Sequence, residues 1–531
     1  MLICISIYGQ STKSIIALTD TFSSNLPIII INTNGQDIPD EPKIEADLGI
    51  IYNGEGVRNF SCDSLNNYNG KIGIELHGTS SLQYPKKSFG FETRKNDGSD
   101  YNVSLIGLPK ESDWILYAPY SDKSLVRNVI TYKWAADAGR YAPRCRFCEL
   151  ILNGNYWGVY VLMEKIKRDK NRVNIAKLED DDISGIGLTG GYIVKIDWPD
   201  PNDLGWVSIV SNAQFFYHHP KGEDLLQVQR NYIRDYITQF EYVLIGNNFK
   251  DPVNGYYKFI NMDSFIDFMI GQEMAKNRDA FRASTFMFKD RDSIDNRLNM
   301  GPLWDFNIAY GNHNKDNFEY AGGWSFEWLA NPIIFWWSRL LQDSIFTTKL
   351  IHRWTQLRNS VLTLQNLQSD IDSLAGYLDE ARERNFNKWP VLGVYVYPNS
   401  FIGITYQEEI DFLKNWITDR IRWMDDNISG LTRYYRHSAS NGNLVYLRDV
   451  ECYPNPSNGF IKIRYYILNN CSLRVVIYDL LGRQVAVLKN EYLSIGNNEI
   501  FWSNNNLSNG IYFCCFEVNN RIDLVRKIIK L

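Results

Sequence analysis

The stretch Tyr453-Pro454-Asn455-Pro456-Ser457-Asn458-Gly459 opens a C-terminal region of short apolar alternations separated by Gly, Asn and Pro. Apolar side chains recur there at every second residue in two runs, namely Ile461, Ile463 and Tyr465, and then Leu473, Val475 and Ile477. Successive side chains of a strand point to opposite faces, so this period of two indicates half-buried strands joined by turns. We therefore predict a small all-β sandwich over residues 450–531.

Upstream of this region, the pattern changes twice. The polar run Ser438-Ala439-Ser440-Asn441-Gly442-Asn443 predicts a linker over residues 436–449. Residues 26–175 favour strands, with a hairpin turn at Asn153-Gly154, whereas residues from about 225 follow a helical period. We predict an α+β domain over residues 26–435, β-rich in its N-terminal part and helical in its C-terminal part.

Two of the predicted helices have recognisable N-termini. Asp263 precedes an apolar helical pattern and is the expected cap of that helix. Thr405 and Glu408 form a capping box before a stripe of apolar residues at three-and-four spacing, namely Ile410, Leu413, Ile417, Ile421 and Met424.

Composition limits the classes of partner. The chain has 531 residues, 44% hydrophobic and 22% charged, with a net charge of −5. That charge gives no general attraction to nucleic acid or anionic membranes, so we expect no nucleic-acid partner. No apolar run approaches the roughly 18 residues that a spanning helix needs. The start, Met1–Gln10, has the apolar character of a signal peptide without its basic region, and residues 1–25 are predicted to be a residual leader.

Two aspartates occur in contexts that suggest chemistry. Asp279 follows a predicted helix, in Asn277-Arg278-Asp279-Ala280-Phe281, and Asp305 lies in Gly301-Pro302-Leu303-Trp304-Asp305-Phe306-Asn307. A helix, an Arg-Asp loop, a gap of hairpin length and then Asp-Phe is the catalytic layout of protein kinases. The alternative for each aspartate is an ordinary capping or ion-paired role.

Longer motifs mark a resemblance to a known family. Most of residues 26–430 resemble the CotH kinase family of atypical kinases. The matching stretches are Gly78-Thr79-Ser80-Ser81, Tyr84-Pro85-Lys86-Lys87-Ser88-Phe89, Glu111-Ser112-Asp113-Trp114-Ile115-Leu116, Arg127-Asn128, Asn153–Tyr160, Glu164-Lys165-Ile166, Gly301–Asn312, Arg384-Asn385-Phe386 and Trp389-Pro390.

This resemblance implies a fold, cofactors and a site. The implied fold is a divergent protein-kinase-like fold of two lobes that binds ATP with Mg²⁺ or Mn²⁺ and phosphorylates Ser or Thr. It makes Asp279 the catalytic base and Asp305 a metal ligand. Lys195, on a predicted strand, is the candidate phosphate-contacting lysine, and Lys87 competes with it. Glu164 is a candidate to orient such a lysine through an ion pair. The alternative for both lysines is a solvated surface charge.

One position departs from the kinase pattern. Kinases carry Asn, a second metal ligand, five residues after the catalytic Asp, and this chain has Ser284 there. A hydroxyl is a weaker oxygen donor than an amide carbonyl, although Ser284 can still bind magnesium or a bridging water. One-metal chemistry and a non-catalytic nucleotide binder both remain open.

A basic run and a pair of histidines are the remaining notable segments. The run Lys165-Ile166-Lys167-Arg168-Asp169-Lys170-Asn171-Arg172 is either a solvated loop or a docking site for an acidic segment or a phosphate tail. His218-His219, before Pro220, is predicted to be a turn.

The C-terminal region resembles the sorting domain of proteins exported by the type IX secretion system of Bacteroidetes-like bacteria. This resemblance implies a secreted or cell-surface location and the secretion machinery as a partner. Two hypotheses follow. The first is an exported kinase for Ser/Thr of secreted or surface proteins, and the alternative is a non-catalytic surface binding or adhesion protein that kept the fold.

Overall fold

The computed structural model describes residues 22–199, 203–328, 334–435, 447–468, 471–518 and 521–531. The predicted leader and linker lie mostly outside these ranges, so the boundaries at residues 25, 436 and 449 stay predictions. The described residues belong to two compact units. The larger contains those up to Thr238 together with Tyr257–Trp337 and Ile345–Leu431, and the smaller contains those of Gln239–Tyr256, Ser338–Ser344 and Thr432–Leu531.

The first part of the larger unit is a closed barrel. Its elements in chain order are β1 (Ser23–Ser24), β2 (Ile28–Asn32), β3 (Ile44–Ile51), β4 (Asn59–Phe60), β5 (Tyr68–His77), the 3₁₀ turn η1 (Ser80–Gln83), β6 (Ser88–Arg94), β7 (Asp113–Tyr117), α1 (Arg127–Asp137), β8 (Cys145–Leu152) and β9 (Asn155–Glu164). The barrel has the order β2-β3-β5-β6-β7-β9-β8, and the parallel pair β2–β8 closes it. Alternate residues such as Ile72, Ile74 and Leu116 fill its interior.

The predicted hairpin at Asn153-Gly154 is confirmed. These two residues join β8 and β9, and their φ angles are 50° and 74°. Asn and Gly tolerate this left-handed backbone, and a hairpin turn of this kind requires it.

A second, five-stranded antiparallel sheet follows the barrel. Its region contains α2 (Gly185–Leu188), β10 (Tyr192–Ile196), β11 (Gly205–Val207), β12 (Gln214–His219), α3 (Gln227–Ile245), η2 (Tyr256–Lys258), α4 (Met262–Ala275), β13 (Thr285–Lys289) and β14 (Leu298–Met300). The strand order is β11-β12-β10-β13-β14, so β10 lies beside β13, with Lys195 opposite Phe286. His218 and His219 end β12, and the turn predicted for them is therefore wrong. His219 pairs with Ile193 of β10, and His218 lies at the irregularity where the register of the two strands shifts.

Helices dominate the remainder of the larger unit. The elements that follow are η3 (Ser325–Glu327), α5 (Trp336–Leu340), α6 (Ser344–Arg358), α7 (Leu364–Tyr377), α8 (Asp379–Lys388), α9 (Tyr406–Asn427) and η4 (Ile428–Thr432). The Thr405 hydroxyl accepts a hydrogen bond from the Glu408 amide at 3.2 Å, which confirms the predicted start of α9. The predicted apolar stripe of α9 is buried throughout.

The C-terminal region is all-β, as predicted. It contains β15 (Leu447–Tyr453), β16 (Phe460–Ile467), β17 (Cys471–Tyr478), β18 (Gln484–Leu493), β19 (Gly496–Ser503), β20 (Gly510–Val518) and β21 (Arg521–Lys530). The strands form two sheets, β15-β16-β19 and β18-β17-β20-β21, which share one apolar core. With the β-rich and helical parts before it, the α+β class is confirmed.

Candidate active site

Helix α4 positions the first aspartate. Asn261, and not the predicted Asp263, caps this helix, because the Asn261 side chain accepts a hydrogen bond from the Ser264 amide. Asp263 instead lies in the first turn, where its negative charge interacts favourably with the positive end of the helix dipole. The helix ends at Ala275, and the φ of 41° at its C-cap, Lys276, turns the chain into the loop that carries Asp279.

Asn277 connects the two loops that carry the candidate aspartates. Its side-chain carbonyl accepts a hydrogen bond from the Asp279 amide at 3.3 Å, and its amide group donates one to the backbone carbonyl of Asp305 at 3.0 Å. Asn277 is buried, so water competes only weakly for either hydrogen bond. The two loops are separated by the β13–β14 hairpin in the chain, and this side chain links them directly.

Asp279 lies among arginines. Arg282 donates a hydrogen bond from Nη2 to Asp279 Oδ1 at 3.1 Å. Burial raises the pKa of Asp279, the charges of Arg282 and Arg278 oppose this rise, and the charge of Asp197 adds to it. The guanidinium of Arg282 also lies 4.8 Å from the ring centre of Trp328 and 5.2 Å from that of Trp198. These rings hold Arg282 in place beside the carboxylate.

Asp305 follows β14 and has a strained backbone with a φ of 59°. The hydroxyl of Tyr132 on α1 accepts a hydrogen bond from the Asp305 amide at 3.1 Å. The next amide, that of Phe306, donates one to the Asn128 side chain at 2.6 Å, and the Phe306 ring is buried. Such constraints are needed to hold a residue other than Gly in the left-handed region.

The pKa of Asp305 is raised to about 7. Burial is the main cause, and repulsion by Asp279 and then by Asp197 adds to it, whereas a hydrogen bond from the Asn307 amide opposes it. Three carboxylates therefore share one electrostatic environment, which favours a bound cation or a bound proton.

Sequence reasoning missed Asp197, which follows β10 directly. Its Oδ1 accepts a hydrogen bond from the Ser284 amide at 3.2 Å, and its Oδ2 lies 3.5 Å from Lys195 Nζ. The pairing of β10 with β13 brings it to the loop after α4. The only local signal was an acidic residue at the end of an apolar strand.

The structure brings some of the predicted residues together and separates others. Lys195 lies beside Asp197, which belongs to the acidic group formed with Asp279 and Asp305. Its shorter ion pair is with Asp203, at 2.7 Å. Lys87 donates a hydrogen bond to the carbonyl of Leu82. Glu164 pairs with Arg144 at 2.7 Å and contacts neither of the two lysines.

The loop between β5 and β6 and the end of β7 border the site. Burial raises the pKa of Tyr84, and Asp305 contributes to this rise. Tyr117, at the end of β7, shows the same effect, with burial again the main cause. The Gly78–Ser81 motif precedes Tyr84 directly, so the barrel and the five-stranded sheet both contribute to the surroundings of Asp305.

The residues present fit a divalent cation only in part. Across the described ranges, no three His, Cys, Asp or Glu side chains are arranged to hold a metal ion. Mg²⁺ is commonly held by one or two carboxylates and completes its six ligands with water and substrate phosphates. Asp305, with Asp279 and Asp197 near it, can supply the one or two carboxylates that Mg²⁺ needs from the protein.

Comparison with known proteins assigns two regions. A model described as CotH kinase protein matches residues 74–424, and a model described as secretion system C-terminal sorting domain matches residues 451–531. The search of curated proteins gave no match. Among solved structures, the chain is similar to Pseudomonas fluorescens alkylpurine DNA glycosylase AlkC bound to DNA containing an abasic site analog. That likeness has 10% identity and a TM-score of 0.14, covers 36% of this chain and 55% of the glycosylase, and carries no argument.

The sorting domain marks the protein as one secreted through the type IX system to the cell surface or beyond. None of the helices in the described residues has the length and apolar character required to cross a membrane. The kinase model matches more than half of the chain, from within β5 to the last turn of α9. The chain therefore belongs to the CotH kinase protein family.

Proposed function

We propose that this protein is an exported kinase that transfers the γ-phosphate of ATP to Ser or Thr of secreted or surface proteins. Asp279 is the proposed base and Asp305 the proposed metal ligand. One observation carries the proposal: Asp279 and Asp305 belong to separate loops, yet they lie close enough to raise the pKa of Asp305 together with Asp197. The order of elements along the chain also agrees with the kinase layout: a helix, the loop with Asp279, a β-hairpin and then Asp305.

The surroundings of Asp279 suit a base. Arg282 contacts Oδ1 and opposes the effect of burial on the pKa of Asp279. In its ionised form the carboxylate leaves Oδ2 free of this contact, and Oδ2 can accept the proton of a substrate hydroxyl. The Asn277 contact to the Asp279 amide fixes the backbone that carries this group.

Asp305, with Ser284 as a weaker candidate, would hold Mg²⁺ or Mn²⁺. When bound, the ion neutralises charge on the ATP phosphates. Asp305 must lose its proton to bind a cation, and its pKa of about 7 puts this step near neutral pH. The amide of Ser284 is fixed by Asp197, so a carboxylate adjoins the position where kinases carry Asn.

A direct test is incubation of the full chain with γ-labelled ATP, Mg²⁺ or Mn²⁺ and a mixture of secreted proteins. Loss of a general base costs about 10²- to 10⁴-fold in rate, so we expect Asp279→Asn to lose transfer by about that factor and still bind ATP. Asp181→Asn, an exposed aspartate in the same unit, is the matched control and should match the wild type.

The competing function is a non-catalytic surface binding protein, and Ser284 is the observation that favours it. ATP binding without transfer in the wild type would support a pseudokinase. Equal transfer by the wild type and Asp279→Asn would show that Asp279 is not the base. Absence of both ATP binding and transfer would favour an adhesion protein.

A further inference from the structure

Lys165 is a partly buried lysine that lacks a partner of its own. It follows β9 directly, and its ammonium makes no hydrogen bond or ion pair with any residue in the described part of the chain, although its backbone carbonyl accepts a hydrogen bond from Arg172. Burial lowers the pKa of its ammonium, Asp113 opposes this effect, and Lys43 adds to it. The chain thus keeps a lysine at a position where burial disfavours its charged form.

The carboxylates near Lys165 already have cations of their own. Lys43 pairs with Glu75 at 3.2 Å and with Glu92 at 2.7 Å. Asp113 pairs with Lys167. Lys165 therefore remains without a counterion in direct contact, although these acidic side chains moderate its charge.

Two histidines respond to the same positive field. Burial lowers the pKa of His77, at the end of β5, to about 4, and Lys165 is the largest charge contributing to this shift, followed by Lys195. Burial lowers the pKa of His218, on β12, to about 3, with contributions from Lys195 and Lys165. His218 Nε2 lies 2.9 Å from the carbonyl of Ile166, immediately after Lys165. The charges of Lys165, which follows β9 of the barrel, and of Lys195, on β10 of the second sheet, thus act on the same two imidazoles.

This cationic group adjoins the acidic group of the proposed active site. Lys195 Nζ lies 3.5 Å from Asp197 Oδ2, and Asp197 in turn repels Asp305. Positive groups on one side and carboxylates on the other match a chain of phosphates with a metal ion at one end. Lys87, the other sequence candidate, instead donates to the backbone at Leu82.

We infer that Lys165, together with Lys195 and with His77 and His218 beside them, forms the subsite that binds the triphosphate of a nucleotide, with Lys165 making the direct contact. This inference rests on the proposed function, because it places the metal end of the triphosphate at Asp305. It changes the role of the basic run 165–172, since Lys165 is partly buried and Lys170 is the exposed, solvated member.

The test measures binding of inorganic triphosphate, ATP and adenosine to the full chain by calorimetry, without metal or protein substrate. A hydrogen bond to a charged group is worth about 1.5–3 kcal/mol, which corresponds to about a 10- to 100-fold change in affinity. We expect Lys165→Met to weaken triphosphate and ATP binding by that factor and Lys165→Arg to retain most of it. Lys170→Met removes the same charge from an exposed site and should stay within about twofold of the wild type.

Two further readouts separate binding from a structural role. The melting temperature of Lys165→Met should equal or exceed that of the wild type, because the substitution removes a partly buried charge. In the wild type, triphosphate should raise the pKa of His77 in an NMR titration, because the phosphates neutralise the lysines beside it. Unchanged affinity in Lys165→Met, or a lower melting temperature without rescue of binding by Lys165→Arg, would overturn the inference.

The outcomes also distinguish this inference from the proposed function. Lys165-dependent triphosphate binding without phosphate transfer would leave the subsite in place and reject the kinase. Phosphate transfer by Lys165→Met at the wild-type rate and KM for ATP would keep the kinase and reject the subsite. Binding of adenosine but not of triphosphate would also reject the subsite.

Discussion

Replacement of Asp305 by Asn should stabilise the protein at alkaline pH and leave its stability almost unchanged at acid pH. In the fold, the pKa of this carboxyl is about 7, against an ordinary value of 3.8. At a pH between these two pKa values, Asp305 is ionised in the unfolded chain and protonated in the folded protein. The free energy of unfolding therefore falls as pH rises through this window, and the full cost is present above about pH 7.

The size of the effect follows from the shift. Each pKa unit corresponds to 1.36 kcal/mol, so a shift of about three units gives at most about 4 kcal/mol. Asp305 is partly accessible to solvent, which reduces this figure, and we expect Asp305→Asn to gain about 2–4 kcal/mol at pH 8. At pH 4, the carboxyl is protonated in the folded protein and about half ionised in the unfolded chain, so the gain should be less than about 1 kcal/mol.

Urea denaturation followed by tryptophan fluorescence measures this difference. Of the 15 tryptophans, only Trp502 lies within the matched sorting domain, so the signal reports mainly on the kinase region. Asp181→Asn is the control for the loss of one surface carboxylate. Mn²⁺ should stabilise the wild type more than Asp305→Asn, because an ion bound to the folded state adds stability by mass action.

The reasoning fails if Asp305→Asn is no more stable than the wild type at pH 8, or if its gain is the same at pH 4 and pH 8. The first result would mean that burial and the neighbouring carboxylates do not raise the pKa of Asp305 in the folded protein. The second would mean that the gain comes from packing and not from charge.

Two other substitutions give different readouts. Asp197→Asn removes a charge that raises the pKa of Asp305, so the pH at which Mn²⁺ affinity reaches half its maximum should move below that of the wild type; an unmoved pH profile would exclude this coupling. Arg420→Met leaves Glu273 buried without its 3.0 Å ion pair and should lower the free energy of unfolding by about 3–5 kcal/mol, whereas a loss below about 1 kcal/mol in urea denaturation would show that Glu273 becomes protonated at little cost.

Local patterns predicted local structure well. The Asn153-Gly154 turn, the start of α9 at Thr405 and the alternation at Ile461 and Ile463 all depend on residues within a few positions of one another. Each such pattern has a physical cause that acts over one turn or one strand. The cap of α4 was mistaken by two positions, because Asn261 and Asp263 are both competent caps and only the backbone geometry selects between them.

Closure of the barrel was not predictable in the same way. It depends on the parallel pairing of β2 with β8, two strands separated by most of the barrel sequence. The strand pattern of each is an apolar run that fits several sheet positions equally well. Register between distant strands is set by the packing of the whole core, which a reading of one segment cannot supply.

The same distinction explains what was missed in the site. Asp279 and Asp305 became candidates because a familiar spacing relates them along the chain, whereas Asp197 comes near Asp305 only through the pairing of β10 with β13. Asp197 holds the amide of Ser284, the position at which the kinase pattern has lost its Asn. Where the sequence has Ser284 and lacks the Asn of kinases, the fold therefore supplies a nearby carboxylate from the end of β10. For this reason, Ser284 alone is weak evidence for a pseudokinase, and the charge of Asp197 has to be counted in any assessment of catalysis.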